Sequence, residues 1–132
     1  MTQEEKNLLL KVLCAILPYK LHCRVFRLNG DIKENDDILY GVIGDNVVTL
    51  KSDKDECLMY YQIKPYLRPM SEMTDEERNE LYELTHAGSE EWTFSHNAYV
   101  VINWMNSKHL DFCGLIEKGL ALEAPEDMYK HE

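Results

Sequence analysis

The chain has no apolar segment long enough to cross a membrane. Its longest unbroken apolar run, residues 12–17, is far shorter than the roughly twenty residues that a membrane-spanning helix needs. We also expect no secretory signal, because Glu4 and Glu5 stand where such a signal would be basic. The sequence therefore predicts a soluble, cytoplasmic protein that does not associate with a membrane.

The cysteines lack the paired short spacing of metal sites and redox motifs. They are Cys14, Cys23, Cys57 and Cys113. Cys14 falls on the apolar side of a predicted helix and Cys23 lies in a predicted strand, where a free cysteine behaves as a small hydrophobic residue. We expect reduced, buried thiols, as is usual in a cytoplasmic protein.

Motifs that bind metals or phosphates are also missing. The five histidines never fall four residues apart with a third ligand nearby, as zinc sites require. Gly41 and Gly44 lie between two predicted strands and precede no helix, so they cannot present a helix N-terminus to a phosphate. The sequence therefore predicts no metal and no cofactor.

Positive charge is scarce in the second half of the chain. Residues 1–70 hold ten Lys/Arg and ten Asp/Glu, whereas residues 71–132 hold four and fourteen, so the net charge of −10 arises there. The electric field of this net charge acts over roughly 8–10 Å at physiological salt, and it repels phosphate backbones and attracts basic surfaces. We expect no direct binding to nucleic acid.

Length and composition predict a single domain over residues 1–132. The chain is 45% hydrophobic and 29% charged, which is ordinary for a globular protein, and it contains no repeat or long linker. Thr2 and Glu5 form a capping box for a first helix that ends at Pro18. Four short strands then follow in an antiparallel meander, over residues 21–26, 37–43, 47–50 and 57–63.

The second half of the chain is predicted to be helical. Pro65 and Pro69 are expected to take the chain out of the sheet. A capping box of Thr74 and Glu77 starts a helix over residues 75–86. A third helix is expected over residues 95–108, with a strand at 98–102 as the alternative, and a short last helix over residues 111–119. The fold class is thus α+β, with two to three C-terminal helices packed on one sheet face.

The third predicted helix is apolar nearly all round. In a protein of this size, such a helix is either the central element of the core or an element that a partner subunit buries, so a homodimer is one option. If Trp104 is fully buried, we expect Trp104→Ala to cost about 3–5 kcal/mol of stability.

One cluster has the composition of a catalytic site. His109, Asp111 and Cys113 offer a base, an orienting carboxylate and a thiol nucleophile. However, alternating positions on a loop diverge, no oxyanion hole is evident, and Asp111 has a capping role. We therefore assign no catalytic residue and keep an enzyme that uses His109 and Asp111 as an alternative.

Two segments are candidate partner-binding surfaces. The predicted second helix carries Glu76, Glu80 and Glu83 on a face that either is solvated or meets a basic partner. Tyr66 and Arg68, in the proline-bracketed connector, are residue types enriched at the centres of interfaces. The alternative is that Tyr66 and Leu67 simply cover the sheet.

Residues 64–74, which read KPYLRPMSEMT, and residues 104–125 resemble a family of short uncharacterised proteins. These proteins recur in gut anaerobes of the Bacteroides type and in their phages and mobile elements. Members often read Asp-Tyr-Arg-Gly where this chain has residues 111–114, so the resemblance implies that a thiol at Cys113 is not required. It brings no assigned activity.

These observations favour a non-enzymatic, protein-binding regulatory protein of phage or mobile-element origin. A related alternative is an acidic inhibitor that occupies the nucleic-acid-binding groove of a host defence protein. A small hydrolase or transferase is the alternative from a different class. A pocket lined by both His109 and Asp111 would favour the enzyme, and a flat acidic helix face would favour the binding protein.

Overall fold

A computed structural model of the chain describes residues 1–27, 34–52, 56, 58–86 and 91–129. Cys57, and with it the start of the fourth predicted strand, lies outside these residues. The first helix, α1, covers Gln3–Ile16. Its predicted capping box is confirmed, because Thr2 Oγ1 accepts a hydrogen bond from Glu5 N at 3.1 Å and Thr2 N donates to Glu5 Oε1 at 3.0 Å.

The described residues form a mixed sheet of six strands. The strands are β1 (His22–Phe26), β2 (Glu34–Ile43), β3 (Asn46–Thr49), β4 (Leu58–Met59), β5 (Ile63–Leu67) and β6 (Leu122–Glu123), in the spatial order β4-β3-β2-β1-β5-β6. The first four form an antiparallel meander, but the predicted fourth strand over residues 57–63 is only partly matched, because β4 is two residues long and Tyr60–Gln62 form a 3₁₀ turn. However, the meander is only part of the sheet, because β5 adds antiparallel to β1 and β6 adds parallel to β5.

The prediction that Pro65 takes the chain out of the sheet is wrong. Pro65 lies inside β5, fully buried and opposite Cys23 of β1. Leu67 directs its carbonyl toward β6, where it accepts from Ala124 N at 2.8 Å. Pro65 lies two residues earlier and therefore points its nitrogen to the same side, before β6 begins. Because no ladder hydrogen bond to β1 is needed from that nitrogen, proline fits there.

The five antiparallel strands curl toward a barrel. A flat sheet would place β4 roughly 19 Å from β5, at about 4.8 Å per strand spacing. The connection between them is only a 3₁₀ turn, Tyr60–Gln62, which rises about 2 Å per residue. Gln62 links β4 to β1 across the curl, because its side chain accepts from Met59 N at 2.9 Å and donates to Phe26 O at 3.3 Å.

The core fills the inside of the curl and continues against α1. In β1 the inward positions Cys23 and Val25 alternate with half-buried ones, as the period of two requires. The buried face of α1 covers them. The cluster comprises Leu9, Val12, Leu13, Ile16, Leu21, Cys23, Val25, Leu39, Val47, Leu58, Ile63, Leu67, Leu115, Leu120 and Ala121.

Two further helices follow, α2 (Asp75–His86) and α3 (Glu91–Ser107). Residues 98–102 are therefore helical. The two helices pack mainly against each other, and α3 also contacts α1. The helix that contacts the sheet most is α1, and not the C-terminal helices that were expected to cover one sheet face. Nor is α3 a central core element, because Tyr99 and Ile102 are exposed and Trp104 is only half-buried. The 3–5 kcal/mol estimate for a fully buried Trp104 therefore does not apply.

The segment after α3 forms turns rather than the predicted last helix. Asp111 nevertheless caps this segment as expected. Its two carboxylate oxygens accept from Leu115 N at 2.8 Å and from Ile116 N at 2.9 Å. The prediction for the cysteines holds for Cys23, which is buried, and is wrong for Cys14, which is exposed on α1.

Candidate functional site

A cleft of about 900 Å³ opens where β5, α2, the end of α3 and the C-terminal segment meet. One wall is the connector from Arg68 to Thr74, a second is the turn at Lys108 and His109, and a third runs from Glu123 to Tyr129. The cleft exists because β6 pairs in parallel with β5 and carries the C-terminal segment past the start of α2.

Arg68 links three of these elements. Its guanidinium forms a two-pronged ion pair with Glu77 of α2, with Nη1–Oε2 and Nη2–Oε1 distances of 2.8 and 2.6 Å. Nη1 also donates to Lys108 O at 3.1 Å. The carboxylate of Glu77 accepts from Thr74 N as well, which confirms the predicted capping box of α2. Hydrogen bonds from Arg68 and Thr74 lower the pKa of Glu77 to about 2.

His109 is almost fully buried beneath the cleft. Its Nε2 lies 2.7 Å from Tyr19 O and 3.1 Å from Lys20 O, so the ring donates from that nitrogen. The Tyr129 ring stacks on the imidazole at 3.7 Å. The Tyr129 hydroxyl accepts from His22 N at 3.0 Å and donates to Tyr66 O at 2.8 Å. The pair therefore fastens the C-terminal segment to β1 and β5.

Two carboxyl groups face each other at the rim of the cleft. Glu72, in the turn before α2, and Glu123 of β6 both line the cleft, with their side chains close enough to interact. That contact raises the pKa of Glu72, because two carboxylates this close cannot both be ionised without strong repulsion. No sequence signal pointed to Glu123, since its partner lies far away in the chain and only the β5–β6 pairing brings them together.

The cluster that suggested catalysis does not converge on the cleft. His109 lines the cleft, but Asp111 lies outside the lining and uses both carboxylate oxygens as caps. Burial and the nearby Asp111 charge raise the pKa of the Cys113 thiol, which disfavours the thiolate. The arrangement thus provides a cap, a buried histidine and an unactivated thiol.

The connector residues proposed for docking are both held inside the fold. Tyr66 is 7% exposed, and its hydroxyl donates to Asp36 Oδ1 at 2.6 Å and accepts from Arg24 Nη1 at 3.3 Å. Arg68 is occupied by Glu77. Tyr66 and Leu67 are themselves part of strand β5, so they do not cover the sheet from outside.

The acidic residues on α2, unlike Tyr66 and Arg68, lie on the surface of the protein. Glu76, Glu80 and Glu83 are all exposed. Trp104 Nε1 donates to Glu80 Oε2 at 2.9 Å, so this carboxylate also ties α2 to α3. Of the residues that the structure describes, none forms an ion pair with these three, since Arg78 pairs with Asp75 instead. The exposed face of α2 is therefore a concentrated negative surface.

Comparison of the chain with family models, curated proteins and solved structures yields no significant match. No helix in the described ranges combines the length and the apolar character that crossing a bilayer takes. Within the same ranges, no three His, Cys, Asp or Glu side chains come together as a metal site would need.

Proposed function

We propose that this protein is a small regulatory protein of phage or mobile-element origin that binds a basic surface of another protein. The observation that carries the proposal is the exposure of Glu76, Glu80 and Glu83 on α2, none of which has an ion-pair partner among the described residues. The resemblance of residues 64–74 and 104–125 to proteins of phages and mobile elements supports the origin.

The charge pattern of α2 supports a binding role over simple solubility. Glu76 and Glu80 are four residues apart, and like charges at that spacing cost a helix a few tenths of a kcal/mol. A helix without this repulsion would fold at least as well. A basic partner surface would relieve the repulsion and would be attracted over long distances.

The same surface supports the related inhibitor hypothesis. A row of exposed carboxylates presents negative charge to a groove that normally binds phosphates, so a host nucleic-acid-binding protein is one form of basic partner. The hydrolase alternative has less support, because His109 and Asp111 do not line one pocket.

Charge-matched variants test the proposal. The first variant replaces Glu76, Glu80 and Glu83 with Gln. The control variant removes three exposed acids elsewhere, by the substitutions Glu4→Gln, Glu117→Gln and Asp127→Asn. Proteins captured from the native host by the wild-type chain are identified by mass spectrometry, and their association rates with all three forms are measured at several salt concentrations.

We expect the α2 variant to associate on the order of tenfold more slowly at low salt and to depend less on salt, because steering by charge is lost. The control should stay close to wild type. Equal association rates for all three forms would reject the acidic face of α2 as the binding surface.

A further inference from the structure

The outer side of β6 is an edge of the described sheet. The order of strands places β6 last, and its register pairs Glu123 with Leu67 of β5. In a parallel ladder, a residue forms no backbone hydrogen bond with the residue directly opposite, but bonds to the two neighbours of that residue. Leu67 accordingly accepts from Ala124 N at 2.8 Å and forms no such bond with Glu123. Glu123 therefore directs its own N–H and C=O away from β5, toward the position that a further strand would take.

The carboxyl pair at this edge is electrostatically unfavourable as it stands. Glu72 and Glu123 both line the cleft and both side chains are exposed to water, and their mutual repulsion raises the pKa of Glu72. A cation between the two carboxyl groups would relieve this repulsion. Lys ammonium and Arg guanidinium groups are the protein cations that can do so.

Among the residues that the structure describes, the other charged groups of the cleft do not supply this cation. Arg68 is already paired with Glu77 through both of its terminal nitrogens. The Lys108 ammonium lies over the Trp104 ring, 5.9 Å from its centroid. Glu126 adds a further acid to the lining, so the surroundings favour a positively charged guest.

We propose that the cleft binds an extended, basic segment of a partner protein, which adds to the edge of β6 and places a Lys or Arg side chain between Glu72 and Glu123. Backbone hydrogen bonds to Glu123 supply sequence-independent affinity, and the carboxyl pair supplies the preference for a cation. This inference rests on the proposed function, since it names the segment that a basic partner would insert beside the start of α2.

The probe is a short synthetic peptide that alternates Thr with Lys, with both ends blocked. One control peptide replaces Lys with Glu, and another carries N-methyl groups on alternate backbone nitrogens so that it cannot extend a sheet. Binding is followed by chemical shifts and hydrogen exchange of the backbone amides, with particular attention to Glu123. The protein forms are the wild-type chain, the double variant Glu72→Gln/Glu123→Gln and the charge-matched control Glu4→Gln/Glu117→Gln. A fourth form, the α2 variant Glu76→Gln/Glu83→Gln, tests the proposed binding surface on α2 separately.

We expect the Lys peptide to bind the wild-type chain, to protect the Glu123 amide from exchange, and to lose on the order of tenfold in affinity with the cleft variant. The Glu peptide and the N-methylated peptide should bind far more weakly. The control Glu4→Gln/Glu117→Gln should bind the Lys peptide within about twofold of wild type, because neither residue lines the cleft.

Three results would overturn the cleft proposal. They are the absence of peptide binding, an unchanged Glu123 amide on binding, and equal affinity of the wild-type chain and the cleft variant. If instead the peptide binds and only the α2 variant weakens it, the cleft proposal fails while the acidic face of α2 remains the binding surface. The two proposals can thus fail separately.

Discussion

The phenol ring of Tyr129 lies flat on the imidazole of His109, with the ring planes within 6° of each other. His109 holds a left-handed backbone conformation, with φ of 58°, and its ring is anchored to the carbonyl groups after α1. A second histidine, His22, meets the edge of the same phenol at 5.2 Å. Tyr129 thus joins the start, the middle and the end of the chain at one point.

Tyr129→Phe is expected to lower the free energy of unfolding by about 1–3 kcal/mol. The variant keeps the stack on His109 but removes the hydroxyl, which leaves His22 N and Tyr66 O without that partner. Chemical denaturation measures the loss. Tyr40→Phe is the control, because Tyr40 is 69% exposed, and it should change stability by less than about 0.5 kcal/mol. Equal stability of the two variants would mean that the Tyr129 hydroxyl does not stabilise the packing of the C-terminal segment against β1 and β5.

Glu77→Gln is expected to cost about 1.5–3 kcal/mol at neutral pH, because it removes the charged acceptor of Arg68 and Thr74. The folded state lowers the pKa of Glu77 from 4.5 to about 2, so its carboxylate stabilises the fold above pH 4.5. That contribution is lost as the pH falls from about 4.5 toward 2. Denaturation curves over this range should show wild type and variant converging in acid, and a constant difference would contradict the assignment.

The variants Glu72→Gln and Glu123→Gln should each stabilise the protein at neutral pH. A carboxyl group with a raised pKa binds its proton more tightly in the folded chain, so stability is lost as the pH rises above 4.5. Removing either acid abolishes the repulsion. The melting temperature should therefore rise at pH 7, and the gain should vanish below about pH 4. Glu117→Gln, at an exposed position, serves as the control, and a gain of the same size there would point to net charge instead.

The thiols should differ sharply in reactivity. In a Cys57→Ser background, Cys14 should react first with a thiol reagent, since it is exposed on α1. Cys23 is buried opposite Asp37, and desolvation with that nearby charge raises its pKa to about 12. It should react only when the protein unfolds. Mass spectrometry of timed reactions identifies each site, and early labelling of Cys23 would contradict its burial.

Local signals in the sequence were reliable. The Thr2 and Glu5 pair and the Thr74 and Glu77 pair predicted two helix starts, because a capping box is made by residues three apart and needs no distant partner. Asp111 capped its neighbours for the same reason, even though no helix followed.

Long-range pairings were not predictable in the same way. Whether Pro65 breaks a sheet depends on which side of its strand has a neighbour, and that is decided by β6, far along the chain. The acidic face of α2 could be predicted from the sequence. The contact between Glu72 and Glu123 could not, because the pairing of β5 with β6 creates it.

The short turn at Tyr60–Gln62 has a consequence for the protein during its synthesis. Strands β1 to β4 leave the ribosome before β5, and the edge of β1 then stays uncovered until Ile63–Leu67 pairs with it. An open apolar sheet of this kind invites pairing with other chains. A product that stops before Ile63 should therefore aggregate, while one that continues through Leu67 can close its sheet before the helices have been made.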